Sequence, residues 1–167
     1  WSLALPTPGA TNQPAPLASP TNLVINEWQA NPLAGASDWI ELFNLDTNLP
    51  VALQGLYLGN GSMVDQLRLP MFIGPAGHVV LFCDEAPGLD RLDFKLPATG
   101  SDLLLYDSAG GLLNRVYNSK QNEGVARGRS PDGSSRLVNF YDGATPGSPN
   151  SPSQYTGPLL NEVMARN

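Results

Sequence analysis

The sequence predicts an all-β domain, a sandwich or small barrel, from three observations. Glycine and proline are frequent, at 17 and 16 of 167 residues, while charged residues make up only 14% and long helix-forming runs of Ala, Glu, Lys and Leu are missing. Short runs rich in Val, Ile, Leu, Phe and Tyr alternate with turn residues. The turn signals recur at intervals of roughly 8 to 12 residues, the spacing of a sandwich. A unit of about 130 residues buries roughly two thirds of the surface its unfolded chain exposes, enough for one core without staples.

Strands are expected at Leu23 to Trp28, Asp38 to Asn44, Leu53 to Leu58, Met63 to Leu69, His78 to Cys83, Asp102 to Tyr106, Leu112 to Tyr117 and Arg136 to Phe140, with shorter pieces at Leu92 to Leu96 and Gly124 to Gly128. The punctuation is chemically specific. Asn60-Gly61 tolerates positive φ in a tight hairpin turn. "DSAGG" (Asp107 to Gly111) turns the chain between two apolar runs, and "SPDGS" (Ser130 to Ser134) places Pro and Asp-Gly for a type I turn.

Strand side chains alternate, so in "SDWIELFN" Trp39 and Glu41 point one way and Ile40 and Leu42 the other; by the same rule Ile25 and Glu27 share a face. A buried carboxylate needs a partner. Arg129, or failing that Arg127, is the candidate partner for Glu41 or Glu27; alternatively both acids lie on a solvated sheet face.

Two motifs occur twice. Asn161-Glu162 in "LLNEVMARN" stands 135 residues beyond Asn26-Glu27 in "VINEWQAN", and "TPGSPN" (Thr145 to Asn150) stands 138 residues beyond "TPGATN" (Thr7 to Asn12). Nearly equal offsets point to an excerpt from a tandem array: 1–12 the tail of a preceding repeat, 13–21 a linker, 22–150 one complete sandwich, 151–158 a second linker and 159–167 the head of a following repeat. The Pro-rich linkers favour extended conformations of about 3.1 Å per residue.

Composition bounds the chemistry. A formal charge of −6 without a Lys/Arg cluster argues against nucleic acid as a partner, and no apolar run is long enough to insert in a membrane. "WSLALP" has no signal-peptide character. The single Cys83 sits in the apolar run "HVVLFCD" and reads as a small buried hydrophobe. Motifs for zinc proteases, serine hydrolases, phosphate loops and Cys-x-x-Cys pairs are missing. His78 is the only histidine, which disfavours a His-based metal cluster or Ser-His pair and leaves it a structural or exposed role. Carboxylates at Asp84, Glu85, Asp90, Asp93, Asp102, Asp107, Asp132 and Asp142 read as solvated turns, and "DTN" at Asp46 to Asn48 stops short of a calcium loop. Trp28, Tyr57, Phe72, Tyr106, Tyr117 and Tyr141 read mainly as core, with an exposed stacking platform as the alternative.

"VINEWQANP", "DWIELFN", "VALQGLYLGNG", "FIGPAGHVVLF", "DLLLYDSAGGLLNRVY", "ARGRSPDG" and "TPGSPN", in that order, resemble the lamin tail domain of bacterial proteins over roughly Leu23 to Asn150. The resemblance implies an immunoglobulin-like β-sandwich, with Trp39 as a core anchor, Gly55 a turn or bulge glycine, Gly74 to Gly77 a hairpin entering "HVVLF", and Asp132-Gly133 a late turn. The chain departs from the family at Tyr57, where Trp is common, and at Asn114, where Asp is frequent. The resemblance also implies an extracellular or cell-surface location in a bacterium.

The functional expectation is a non-catalytic interaction or spacer module, one unit of a tandem array, whose partners are a protein or cell-surface polymer and the neighbouring repeats. The alternative is an accessory targeting domain of an exported hydrolase that binds carbohydrate or another polymer. No catalytic or metal-ligating residue and no cofactor is expected, and no ligand-binding residue is assigned.

Overall fold

The computed structural model describes residues 2–68, 71–141 and 143–151. The segment 159–167, all of 151–158 but Ser151, Asp142 and the Leu69 end of one expected strand lie outside the described residues. Among the described residues the strands are β1 (Ala4–Leu5), β2 (Gln13–Pro14), β3 (Leu23–Gln29), β4 (Asp38–Asn44), β5 (Val51–Ala52), β6 (Tyr57–Gly59), β7 (Val64–Gln66), β8 (Phe72–Ile73), β9 (His78–Cys83), β10 (Arg91–Leu92), β11 (Gly100–Tyr106), β12 (Leu112–Ser119), β13 (Ala126–Arg129) and β14 (Leu137–Phe140). One turn of 3-10 helix, Pro20–Asn22, capped by the Ser19 side chain, leads into β3.

The strands form a β-sandwich. A six-stranded sheet in the order β10-β9-β4-β3-β13-β14 faces a four-stranded sheet, β12-β11-β6-β7; β5 and β8 pair separately, as do β1 and β2. The main core is filled from both layers: Leu23, Ile25, Trp28, Ile40, Leu42 and Leu81 from one, Leu58, Leu103, Leu105 and Val116 from the other. Each fully buried Leu or Ile contributes about 1.5–3 kcal/mol by leaving water. The Trp28 indole N–H donates across the layers to Asn118 Oδ1 at 3.0 Å, and Ala18, before the 3-10 turn, also packs into this core.

The alternation in β4 holds: Ile40 and Leu42 face the main core, while Trp39 lies on the opposite face. Trp39 is therefore buried but is not an anchor of the main core. It packs in a smaller outer cluster with Ala126 and Phe140, flanked by Val80, Phe82, Val138 and Ala144. In β3 the alternation breaks. Ile25 pairs with Leu42 and Glu27 with Glu41, so Asn26 is an extra residue in the strand, a β-bulge. Ile25 and Glu27 consequently lie on opposite faces, not on one. The apolar spacing carries the mark of it, since Leu23 and Ile25 then Trp28 and Ala30 face the core, with a three-residue step across the bulge.

Other departures have local causes. The strand expected from Leu53 to Leu58 is split, because a turn closed by Leu56 N–H donating to Leu53 O, with Gly55 at φ 82°, separates β5 from β6. Gly74 to Gly77 is a turn, yet not a hairpin: β8 before it pairs with β5 and β9 after it with β4, so the chain changes sheets there. At 131–134, Ser134 N–H donates to Pro131 O, but Gly133 at the third position has φ 70°, which a type I turn does not have.

Gly128 of β13 sits opposite Glu27. A Cβ there would lie 2.6 Å from Asn26 O and 3.0 Å from Glu27 Cα, both backbone atoms that cannot step aside. Gly128→Ala is expected to lower stability by about 1–3 kcal/mol, measured as a reduced urea midpoint with an unchanged m-value.

Candidate functional site: a buried Asn-Glu cradle and its covering turn

The bulge brings Asn26, Glu27 and Glu41 together on the outer face of the six-stranded sheet, and all three are fully buried. Two acidic side chains paired across adjacent strands repel one another and lose their hydration. The residues Thr145–Asn150, which follow β14, lie over them and supply donors. Thr145 N–H donates to Glu27 at 3.1 and 3.2 Å, and its hydroxyl lies 2.9 Å from Glu27 Oε2. Gly147 N–H donates to Glu41 Oε2 at 2.6 Å, while Glu41 Oε1 accepts from Asn26 Nδ2 at 2.9 Å. Asn150 closes the turn: its amide donates to Arg129 O at 2.7 Å and its backbone N–H to Asp132 Oδ1 at 3.0 Å. Asp132 Oδ1 also accepts from Asn26 Nδ2 at 2.8 Å, and Asn26 Oδ1 accepts from Gly133 N–H at 3.0 Å.

Arg129 does not pair with either acid. Its Nε donates to Ile25 O at 2.8 Å, Nη1 to Ser134 O at 2.6 Å, and Nη2 lies 3.4 Å from Asn114 Oδ1. Asn114 Oδ1 in turn accepts from Ile25 N–H at 3.1 Å. The bulge offers Ile25 N–H, Ile25 O and Asn26 O to side chains, and Asn114, Arg129 and Asn150 take them up. The guanidinium thus serves the bulged backbone, not the carboxylates, and burial pulls its pKa down. Arg127 is not the alternative partner: its Nη1 bonds Ser119 Oγ. Nor is the acidic face solvated, since the covering turn seals it.

The remaining candidates disperse. His78 stacks on Phe43 with ring centroids 4.8 Å apart. Its Nε2 is 3.5 Å from Asp132 Oδ2, within ion-pair reach when protonated but poorly directed for a hydrogen bond. Cys83 is buried in the main core and burial pushes its thiol well up. Asp46 accepts from the backbone of its own loop at Asn48 and Leu49, Asp107 does the same at Ala109 and Gly111, and Asp102 forms a two-pronged pair with Arg115 at 2.8 and 2.9 Å. Asp84 bonds Arg91 and Asp93 bonds Arg68. Among the described residues, no group of three or more His, Cys, Asp or Glu side chains is gathered for a metal ion.

Of the aromatics, Trp28 is core, while Tyr117, on β12 of the four-stranded sheet, and Tyr141, just past β14 of the six-stranded sheet, are exposed. Tyr57 and Tyr106 are direct cross-strand partners, and with Val64 and the Ser108–Gly110 turn they line an open hollow on the four-stranded sheet. Asn26, Thr145, Gly147 and Asn150 have no site signature in their own chemistry; their occurrence in the repeated motifs is the one signal the sequence carries for them. No protein-family model matches the chain, and no curated protein matches it.

Burial pushes the Glu41 carboxyl up to about 7, against the lowering pull of Asn26 and Gly147, and the charges of Glu27 and Asp132 add to the rise. Burial raises Glu27 as well, opposed by Thr145. A carboxyl raised in the folded state keeps its proton where the unfolded chain has lost it, so stability falls as pH rises from the ordinary carboxylate range to about 7 and then levels. A loss of about 1–3 kcal/mol between pH 5 and 7.5 is expected. Glu41→Gln leaves one donor facing an amide N–H and lowers stability at pH 5, but it flattens the slope; chemical denaturation across that range measures both.

Proposed function

We propose that the chain carries one unit of a tandem array, an immunoglobulin-like sandwich of the lamin-tail type that acts as a non-catalytic interaction or spacer module in a bacterial surface or secreted protein. The observation that carries this reading is that the two repeated motifs are physical partners. In the one copy where both are described, Asn26-Glu27 holds the turn Thr145–Asn150. A pair of motifs that recurs at nearly constant spacing, and whose members bind each other, is what a self-closing unit repeated along a chain requires. The carboxylates nearest one another are sealed by backbone donors, which suits holding a chain segment better than turning over a substrate. The coding sequence on either side of this segment tests the array: at least one further unit with Asn-Glu and Thr-Pro-Gly-x-x-Asn at about the same spacing is expected, and flanking sequence without either motif would overturn it.

A second reading, polymer targeting, draws on the Tyr57–Tyr106 hollow, since neighbouring half-buried rings offer a stacking surface to sugars. Here the expected outcome is retention on at least one insoluble polysaccharide, lost in Tyr106→Ala with the melting temperature unchanged. Passage of the wild-type chain through a broad panel without retardation would remove this reading.

A further inference from the structure

The exposed turn Thr7–Asn12 has the same internal build as the docked turn Thr145–Asn150. Gly9 has φ 75° and Gly147 φ 78°. Ala10 N–H donates to Thr7 O at 3.1 Å, and Ser148 N–H to Thr145 O at 3.0 Å. The Thr7 hydroxyl donates to Asn12 Oδ1 at 3.2 Å, and the Thr145 hydroxyl lies 3.0 Å from Asn150 Oδ1. The groups that engage the cradle are the Thr N–H and hydroxyl, the Gly N–H and the Asn amide. All of them recur at Thr7, Gly9 and Asn12. The two sequences differ at Ala10 and Thr11 against Ser148 and Pro149, positions whose side chains in the docked copy hydrogen-bond nothing among the described residues.

The two copies differ in what they touch. The turn at 145–150 covers buried carboxylates, whereas Pro8 to Asn12 is exposed, and among the described residues neither Thr7 nor Gly9 donates to a carboxylate. The hairpin of β1 and β2 holds the turn between two short strands, so its shape is set without a partner. A preformed turn whose Thr7 and Gly9 N–H groups and Asn12 amide donate to nothing among the described residues loses little conformational entropy on docking.

We infer that Thr7–Asn12 is a free latch that docks on the cradle of a second sandwich of this kind, one that presents an Asn-Glu bulge and a facing Glu as Asn26, Glu27 and Glu41 do here. The partner is thus identified by chemistry: a pair of buried, donor-seeking carboxylates beside an Asn amide. This deepens the array reading and rests on it, because the partner sandwich is a neighbouring unit whose covering turn is this one.

A competition in trans tests the inference. The full chain carrying Thr7→Ala, Asn12→Ala, Thr145→Ala and Asn150→Ala has a cradle but no competent turn of its own. A synthetic peptide of residues 5–13 is added, with a peptide of residues 143–151 as positive control and the 5–13 peptide bearing Thr7→Ala and Asn12→Ala as negative control. If the variant folds, the 5–13 peptide is expected to raise its melting temperature by about 5–10 °C at a concentration about a hundredfold above Kd. If the variant does not fold alone, the expected result is recovery of a cooperative melt on addition of the same peptide. Binding of 143–151 without binding of 5–13 overturns the inference, as does an equal effect from the doubly substituted peptide or no effect from any peptide. The outcome is independent of how many units the parent gene encodes, so a failed array reading and a failed latch are told apart. In the wild-type chain, Asn12→Ala should leave the melting temperature unchanged while Asn150→Ala lowers it; equal losses would mean that the first turn is already used within its own unit.

Discussion

Two buried glutamates, set side by side on adjacent strands, impose the constraint around which this sandwich is organised. Water is excluded from both, and a carboxylate left without donors in such a place costs several kcal/mol. The sheet itself cannot help, because its backbone N–H groups are committed to the ladder. The donors come from outside it, from Thr145 and Gly147 in the chain that follows the last strand, with the Asn26 amide between them. The segment after β14 is therefore held to β3 and β4 through groups that cannot be satisfied separately.

The bulge at Asn26 makes this possible and explains the residues that surround it. Were Asn26 to take a regular place in the ladder, Glu27 would face the main core and Trp28 the outer face, and the acidic pair would not form. With the bulge, three backbone polar groups leave the ladder and need other partners. Arg129, Asn114 and Asn150 supply them, and Gly128 provides the room for the bulged strand to approach β13. A cation near two acids suggests an ion pair, but a guanidinium with five donors is equally suited to carbonyl oxygens, and here the bulged carbonyl has the stronger geometric claim.

Strands with clean alternation between turn residues were legible residue by residue, as Asp38–Asn44 and His78–Cys83 show. The short strands were not: Ala4–Leu5, Gln13–Pro14, Val51–Ala52 and Phe72–Ile73 are two residues each and are defined by their partners instead of by their own pattern. The bulge escaped for a different reason. Strict period-two alternation hides an extra residue at Asn26, although the step from Ile25 to Trp28 records the interruption. The covering turn was visible as a repeated motif, but its role depends on contacts between residues more than a hundred positions apart, which periodicity does not encode. What sequence pattern conveys is that Asn-Glu and Thr-Pro-Gly-x-x-Asn each occur twice; what packing adds is that Asn26-Glu27 and Thr145–Asn150 touch.

Native-state hydrogen exchange of the Thr145 and Gly147 amides bears most directly on this account, with the amides of the β3–β4 ladder as the internal reference. If the turn is part of the cooperative unit, both amides exchange only on global unfolding and as slowly as that ladder. Exchange of Thr145 and Gly147 through local opening, orders of magnitude faster than the ladder, would show that the buried acids do not depend on the turn and would contradict the account.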